Sequence, residues 1–153
     1  VKWDPFPAVA LMGPPLKLAN GDIAIYAESW KTYYDAGEGE HHAILALSHD
    51  GGHTFEPPLV VANDPANVVF FWDQRLTVDP RTGQMIGMFW THNREAGKDV
   101  NAHVARGSAD GTRWTYPADA GFAGQIQSPL ALSAQRVLAV YVHRHHPPSF
   151  RAI

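Results

Sequence analysis

Two segments of the chain repeat the same turn sequence. Residues 48–55 read SHDGGHTF and residues 108–115 read SADGTRWT. In both, Ser-x-Asp-Gly is followed by an aromatic residue, although the second copy has one residue fewer before it. Asp50 and Asp110 are 60 residues apart, which predicts a structural repeat with a period of several tens of residues.

Each part of this turn has a local structural use. The aspartate can accept hydrogen bonds from backbone N–H groups of its own turn, and glycine adopts conformations that other residues resist. A calcium site would need several convergent oxygens, whereas each turn supplies one aspartate, so we predict no metal here. We assign the structural role to Ser48, Asp50, Gly51, Phe55, Ser108, Asp110, Gly111 and Trp114.

Composition excludes several classes of protein. The 153 residues are 45% hydrophobic and 18% charged, which is typical of a globular domain. A net charge of -3 argues against a nucleic-acid partner, and no apolar run approaches the length of a membrane span. There is no cysteine, hence no disulfide and no thiolate ligand. The N-terminus lacks a signal-peptide pattern, so the sequence leaves the compartment open, secreted or periplasmic included.

Short β-rich runs alternate with Gly- and Pro-containing turns, and no long amphipathic helix is predicted. The runs group into an all-β repeat of four short antiparallel strands, which favours the blades of a β-propeller over an antiparallel sandwich with similar hairpins. The units span about 9–62, about 73–118 and, as a partial unit, about 125–153. The predicted strands are 22–29, 42–48, 54–61, 74–79, 84–91, 101–108, 112–117, 127–133 and 136–143.

About two and a half units are present, while propellers close with typically 4–8 blades. An unclosed array leaves strand edges and apolar faces exposed. We therefore expect the remaining blades to come from a longer chain, with self-association of copies as the alternative.

The turn SHDGGHTF resembles the Asp-box, or BNR repeat, of sialidase-like propellers, and SADGTRWT resembles a shortened copy. The segments WDQRLTVDPRTGQMIGMFWTHN and GQIQSPLALSAQRVLAVYVHRH are similar to blades of the same family. The resemblance implies a six-bladed propeller and a glycoside hydrolase acting on terminal sugars of glycans, without a cofactor. It implies equally a non-catalytic propeller that binds glycans or proteins.

The predicted topology separates the two ends of the strands. The Asp turns share one face with the tight turns at 19–21 and 79–83, and the longer polar loops lie on the opposite face, where binding residues usually sit. These loops are 30–41, 62–73, 92–100, 118–125 and the segment from 144 onward.

Candidate site residues cluster where those loops meet the strands. Asp73 is a candidate acid/base and Arg75 a candidate carboxylate ligand, the alternative being a structural Asp–Arg pair. Sialidases hold a carboxylate with three arginines and use a Tyr–Glu nucleophile and an Asp acid/base. The resemblance therefore implies that Arg75 is one of the carboxylate-binding arginines and that Asp73 is the acid/base, while no Tyr–Glu pair can be placed. The predicted substrate-binding residues are Glu28, Trp72, Arg75, His92, Gln127, His143 and Arg144. Three histidines within residues 143–146 raise a metal hypothesis, but adjacent residues of a strand point to opposite faces, and we predict pocket-lining side chains and no metal.

Overall fold

The computed structural model describes residues 8–133, 136–144 and 146–153, and those residues form an all-β structure of three antiparallel sheets. The described segments contain no helix, and so none that could cross a membrane. The three sheets follow one another along the chain, each built from consecutive strands.

The first sheet has the strand order β1-β3-β4-β5, with the short β2 also paired to β3. Its strands are β1 (Ala8–Leu11), β2 (Leu16–Lys17), β3 (Ile23–Trp30), β4 (His42–Ser48) and β5 (Leu59–Ala62). Nearly all of β4 is buried, as its apolar run AILAL predicts for a strand covered on both faces.

The second and third sheets repeat this plan. The second has the order β10-β9-β7-β6, with β8 paired to β7, and the third has the order β11-β12-β13. The strands of the second are β6 (Val69–Val78), β7 (Met85–Asn93), β8 (Lys98–Asp99), β9 (His103–Gly107) and β10 (Ala118–Asp119). Those of the third are β11 (Gln125–Ser133), β12 (Arg136–His143) and β13 (Ser149–Ala152).

The first strand of each later sheet packs against the sheet before it. β6 contacts β3 and β4, and β11 contacts β6 and β7. The main core lies between the first two sheets, where Tyr26 and Leu45 meet Phe71, Leu76 and Phe89. The third sheet is covered on one side only, and Leu130, Leu132 and Val140 stay exposed on it.

The predicted strands hold with three exceptions. β4 and β12 have the predicted bounds. The prediction of a strand at 112–117 is wrong: only an isolated bridge joins Trp114 to Gly107, because the backbone there is held by the hydrogen bonds of the Asp turn. Pro57 and Pro58 delay β5 to Leu59, since proline cannot donate to a ladder. The loop predicted at 62–73 ends early, because the aromatic and β-branched run from Val69 pairs with β7. The loops predicted at 92–100, at 118–125 and from 144 onward are also shorter than predicted, because they contain the short edge strands β8, β10 and β13.

The two ends of the strands carry different connections, as the topology predicts. The turn at 79–83 packs against the turn at 19–21 and against the second Asp turn. A Cβ atom built on Gly83 would lie 2.9 Å from the Cβ of Ala19 and 3.2 Å from the Cβ of Ala109, so the three turns share one end of the strands. His49, beside the first Asp turn, is 2.9 Å from the carboxylate of Asp22. The longer loops meet at the other end, where Arg94 bonds Glu38 at 2.7 Å.

Candidate functional site

The first Asp turn is held by its own hydrogen bonds. Asp50 accepts from the backbone N–H of Thr54 at 2.9 Å, from the Thr54 hydroxyl at 2.6 Å and from the Ser48 hydroxyl at 2.8 Å. These donors, those of Thr54 foremost, hold the pKa of the Asp50 carboxyl far below its ordinary value. Gly51 has φ of 77° and Gly52 of 93°, the left-handed region that the turn requires. Phe55 is half-buried beneath it.

The second Asp turn uses the same groups at shorter spacing. Asp110 accepts from the Ser108 hydroxyl and from the backbone N–H of Thr112, and these bonds lower the pKa of its carboxyl to about 2. The Trp114 indole donates to the Gly111 carbonyl at 2.9 Å. The polar groups of both turns are therefore engaged within the turns, and the other candidate residues lie at the opposite end of the strands.

At that end a β-bulge re-aims Asp73. Asp73 and Gln74 together stand opposite the single residue Phe89 of β7, and Asp73 has φ of 50°. Gln74 is fully buried, and its amide nitrogen donates to the carbonyls of Ala27 and Ile44, both at 3.2 Å. The bulge is thus fixed to the first sheet by a buried side chain.

Two carboxyl groups meet at this bulge. Glu28 of β3 accepts the backbone N–H of Gln74 at 2.9 Å, which places it beside Asp73. Burial raises the pKa of Asp73, and the nearby Glu28 raises it further, while Arg75 and Arg144 act in the opposite sense. The other Glu28 oxygen lies 3.5 Å from Nε2 of the buried His41. Asp73 therefore keeps its proton to a higher pH than an ordinary aspartate does.

Arg75 is tied to the backbone beneath the pair. Its Nη1 donates to the carbonyl of Met12 and, at 3.2 Å, to that of Gln74. Within the described residues no ion pair joins Arg75 to Asp73, so the alternative of a structural Asp–Arg pair is not formed. Both bonds use one nitrogen of the guanidinium group, and its charge still acts on Asp73.

An aromatic cluster lies beside Glu28, which lines one cavity together with Trp30 and Trp72. Trp72 lies at its centre, with ring centroids 5.5 Å from Phe70, 5.0 Å from Trp90 and 6.3 Å from Trp30. His92 stacks on Trp72 at 5.0 Å with planes 17° apart. Trp30 is 39% exposed, and aromatic faces of this kind suit the apolar faces of sugar rings.

His92 belongs to a hydrogen-bonded chain that joins the second and third sheets. Its Nδ1 is 2.8 Å from Oδ1 of Asp99, its cross-strand partner, and Oδ2 of Asp99 accepts from the Gln125 amide at 2.9 Å. Because a carboxylate oxygen accepts, Nδ1 carries the hydrogen, and in the neutral ring Nε2 is then an acceptor. Asn93 and Gly97 shape the hairpin that sets this pairing.

Three cavities adjoin the cluster. One of about 480 Å³ is lined by Glu28, Trp30, Tyr34, His41 and Trp72. A second, of about 540 Å³, lies against Trp30 and the loop that carries Asp35 and Glu38. A third, of about 190 Å³, lies between the second and third sheets.

The structure brings together most of the predicted residues. Glu28, Trp72, Asp73, Arg75 and His92 surround the bulge, and His143 and Arg144 line the third cavity. Gln127 is different: it is fully buried, and its amide donates to the Gly124 carbonyl at 2.8 Å, so it supports the backbone of β11. His145 lies outside the described residues.

Sequence reasoning missed Phe70, Gln74, His41 and Asp99. Asp99 had a local signal, because the turn residues Asn93 and Gly97 between it and His92 indicate a hairpin that pairs them. Gln74 and His41 had none, since their partners lie in other strands, far away along the chain.

The chain is similar to a solved structure. No family model and no curated protein matches the chain. A crystal structure of a protein of unknown function from Dyadobacter fermentans is 26% identical, with a TM-score of 0.73, over 94% of this chain. The chain spans 37% of the length of that protein.

Proposed function

We propose that this chain belongs to a sialidase-like, Asp-box β-propeller that hydrolyses terminal sugars of glycans on its long-loop face. The observation that carries the proposal is the Glu28–Asp73 pair, two carboxyl groups brought together at the bulge, with Glu28 on the wall of a cavity that Trp30 and Trp72 also line. Glycoside hydrolysis ordinarily uses two carboxyl groups, one of which must be protonated to act as the acid.

The order of the sheets supports a propeller over a sandwich. Each later sheet lays its first strand against the preceding sheet, and the opposite face of the third sheet exposes Leu130, Leu132 and Val140. A further sheet of the same kind would bury these residues, supplied by a longer chain or by a second copy. Light scattering on the protein as expressed distinguishes the two, because only self-association gives a mass above that of one chain.

In the proposed reaction Asp73 donates its proton to the glycosidic oxygen as the bond from that oxygen to the sugar breaks. Burial and the nearby Glu28 raise the pKa of Asp73, which is the direction that an acid requires, and Arg75 and Arg144 stabilise the carboxylate that remains. Glu28, oriented by the Gln74 N–H, is the second carboxylate, and it stabilises the positive charge that develops on the sugar ring. A water molecule then adds to the sugar carbon, and the proton it loses returns to the Asp73 carboxylate. Tyr26 is buried and burial raises its pKa, so it is a poor partner for Glu28 in a Tyr–Glu nucleophile.

The test is turnover of a panel of chromogenic glycosides, one sialoside among them, by the full-length protein over several pH values. We expect Asp73→Asn to lower kcat at least about 100-fold, the lower end of the contribution of a positioned acid. Ile126→Asn is the matched control, because Ile126 occupies the equivalent bulge position of the third sheet and should leave kcat unchanged. No turnover of any substrate, or equal loss in both variants, would count against the proposal.

A second candidate, non-catalytic glycan binding, is favoured by the exposure of Trp30 and by the Trp72 cluster. It predicts binding on a glycan array that survives Asp73→Asn and is lost in Trp72→Ala, with no turnover of any glycoside. Binding that fails in both variants would contradict it.

A further inference from the structure

The cavity beside Glu28 has an aromatic wall built from two separate parts of the chain. Trp30 and Trp72 belong to β3 and β6, whereas Tyr33 and Tyr34 belong to the loop between β3 and β4. The cavity volume of about 480 Å³ lies within the range of sites that hold drug-sized ligands, about 300–1,000 Å³. A disaccharide is a ligand of that size, so the space is not limited to a single sugar ring.

Tyr33 and Tyr34 are the two central residues of a tight turn from Thr32 to Asp35. The Asp35 N–H donates to the Thr32 carbonyl at 3.2 Å. The Asp35 carboxylate accepts from the Thr32 N–H at 2.7 Å and from the Thr32 hydroxyl at 2.8 Å. The Tyr34 N–H donates to the same hydroxyl at 3.3 Å. The conformation of the turn is thus fixed by Thr32 and Asp35, and the tyrosine side chains are left to make other contacts.

Both tyrosine side chains are fully exposed to water, at 104% for Tyr33 and 97% for Tyr34. Aromatic side chains gain free energy by burial, so two adjacent exposed rings at the rim of a cavity indicate a surface that contacts a ligand. Tyrosine also has few rotatable bonds, and a turn that is already fixed loses little entropy when a ligand packs on it.

The charged side chains that line the cavity balance one another. Glu28 supplies a carboxylate and Lys31 an ammonium group. The Lys31 ammonium is held at the loop, because it donates to the Gly37 carbonyl at 3.1 Å. The wall therefore favours a ligand without net charge, and its aromatic rings suit the apolar faces of sugar rings.

We propose that this cavity binds the end of a neutral oligosaccharide, with the terminal sugar beside Glu28 and Trp30 and the next sugar stacked on Tyr33 and Tyr34. The inference rests on the proposed glycan function and deepens it, because it makes the substrate a neutral glycan of at least two units. Since Glu28 belongs to the carboxyl pair, the bond that is cleaved joins these two units, and the tyrosines bind the leaving group.

The experiment compares sugars of one and two units by NMR titration of the Asp73→Asn protein. That variant hydrolyses no probe, and asparagine tolerates the left-handed backbone at position 73. The neutral probes are cellobiose, lactose and mannobiose, each against the methyl glycoside of its terminal sugar, and sialyllactose is the charged comparison. We expect at least one disaccharide to bind about tenfold more tightly than its methyl glycoside, the effect of one added aromatic contact.

Replacing both tyrosines, Tyr33→Ala together with Tyr34→Ala, should remove the advantage of the disaccharide and leave the affinity for the methyl glycoside unchanged. Both side chains are fully exposed, so the double variant should keep its fold. Phe150→Ala is the matched control, because Phe150 is an aromatic residue that is 83% exposed on the third sheet and does not line the cavity. It should keep the tenfold advantage.

Gly39→Ala tests the place given to Trp30. A Cβ atom built on Gly39 would lie 2.3 Å from both Cδ1 and Nε1 of Trp30, so the indole ring must move. We expect the methyl glycoside to bind about tenfold more weakly, because the terminal sugar loses an aromatic surface. Gly37→Ala is the matched control in the same loop, since its Cβ atom would meet nothing within 4 Å. Equal affinities in the two variants would overturn the contact with Trp30.

A disaccharide that binds no more tightly than its methyl glycoside, or an advantage that persists without the tyrosines, overturns the two-unit site. If the parent protein still hydrolyses chromogenic glycosides in that case, the hydrolase stands and only the two-unit site fails. A tyrosine-dependent advantage without turnover of any glycoside supports the site and contradicts the hydrolase. Unmoved signals with every neutral sugar, or binding of sialyllactose alone, overturn the assignment to a neutral oligosaccharide.

Discussion

Two first strands of this molecule carry the same backbone bulge, and only one of them has an ionisable side chain at its first position. In β6, Asp73 and Gln74 stand opposite Phe89, and in β11, Ile126 and Gln127 stand opposite Tyr141. The first residue of each bulge is left-handed, with φ of 50° at Asp73 and 48° at Ile126. The left-handed bulge thus recurs in two successive sheets. The two bulges differ in the side chain at the first position, a carboxyl group in one and an apolar group in the other.

The second position of the bulge also differs in what it holds. The amide of Gln74 donates to two carbonyls of the neighbouring sheet, whereas that of Gln127 donates to Gly124 in its own segment. The first bulge therefore fixes the angle between two sheets, and the second fixes only its own strand. That rigid connection is what keeps Asp73 beside Glu28.

The largest expected difference between the two bulges is in how much each contributes to the free energy of unfolding. Gln74→Leu should lower the free energy of unfolding by about 2 kcal/mol, because two buried hydrogen bonds to another sheet are lost. Gln127→Leu should cost about half as much, since one local bond is lost. The side-chain oxygens of Gln74 and Gln127 are both buried and have no hydrogen-bond partner among the described residues. Their removal changes both variants alike and cancels when the two stabilities are compared. Urea unfolding measures both, and equal losses would contradict a cross-sheet role for Gln74.

A smaller gain is expected from relieving strain at the second bulge. β-branched residues resist the left-handed region and asparagine tolerates it, so Ile126→Asn should raise the free energy of unfolding by about 0.5 kcal/mol. Ile126→Val keeps the β-branch and serves as the control, with no gain expected. Thermal unfolding gives the comparison, and a loss of stability in the asparagine variant would show that the Ile126 side chain outweighs its backbone strain.

The smallest effect is a pH-dependent one at the first bulge. Asp73 has a raised pKa when folded, so its ionisation opposes folding once the pH exceeds the ordinary carboxyl value of 3.8. Asp73→Asn removes that ionisation and should raise Tm at neutral pH by on the order of 1 °C. The gain should vanish below the ordinary carboxyl pKa, where both states of the parent are protonated. A gain that is constant with pH would rule out ionisation as the cause.

The sequence predicted which residues lie at the site better than it predicted which residues they contact. Glu28, Trp72, Asp73, Arg75 and His92 were identified because they follow or end strands next to polar loops, and the structure brings them together. The role given to Arg75 as a carboxylate ligand remains a prediction, since one of its nitrogens is occupied by backbone carbonyls. Gln127 shared the pattern of a site residue but is buried in the bulge.

By itself the sequence determined the local structure: the Asp turns, the strand runs such as HAILALS, and which end of the strands carries the longer loops. These depend on residues a few positions apart, through turn hydrogen bonds and a side-chain period of two. Only the tertiary structure decided that Gln74 reaches Ala27 and that Asp99 reaches Gln125. Those contacts depend on the packing of one sheet on the next and on a bulge that shifts the register, and a strand's own pattern encodes neither.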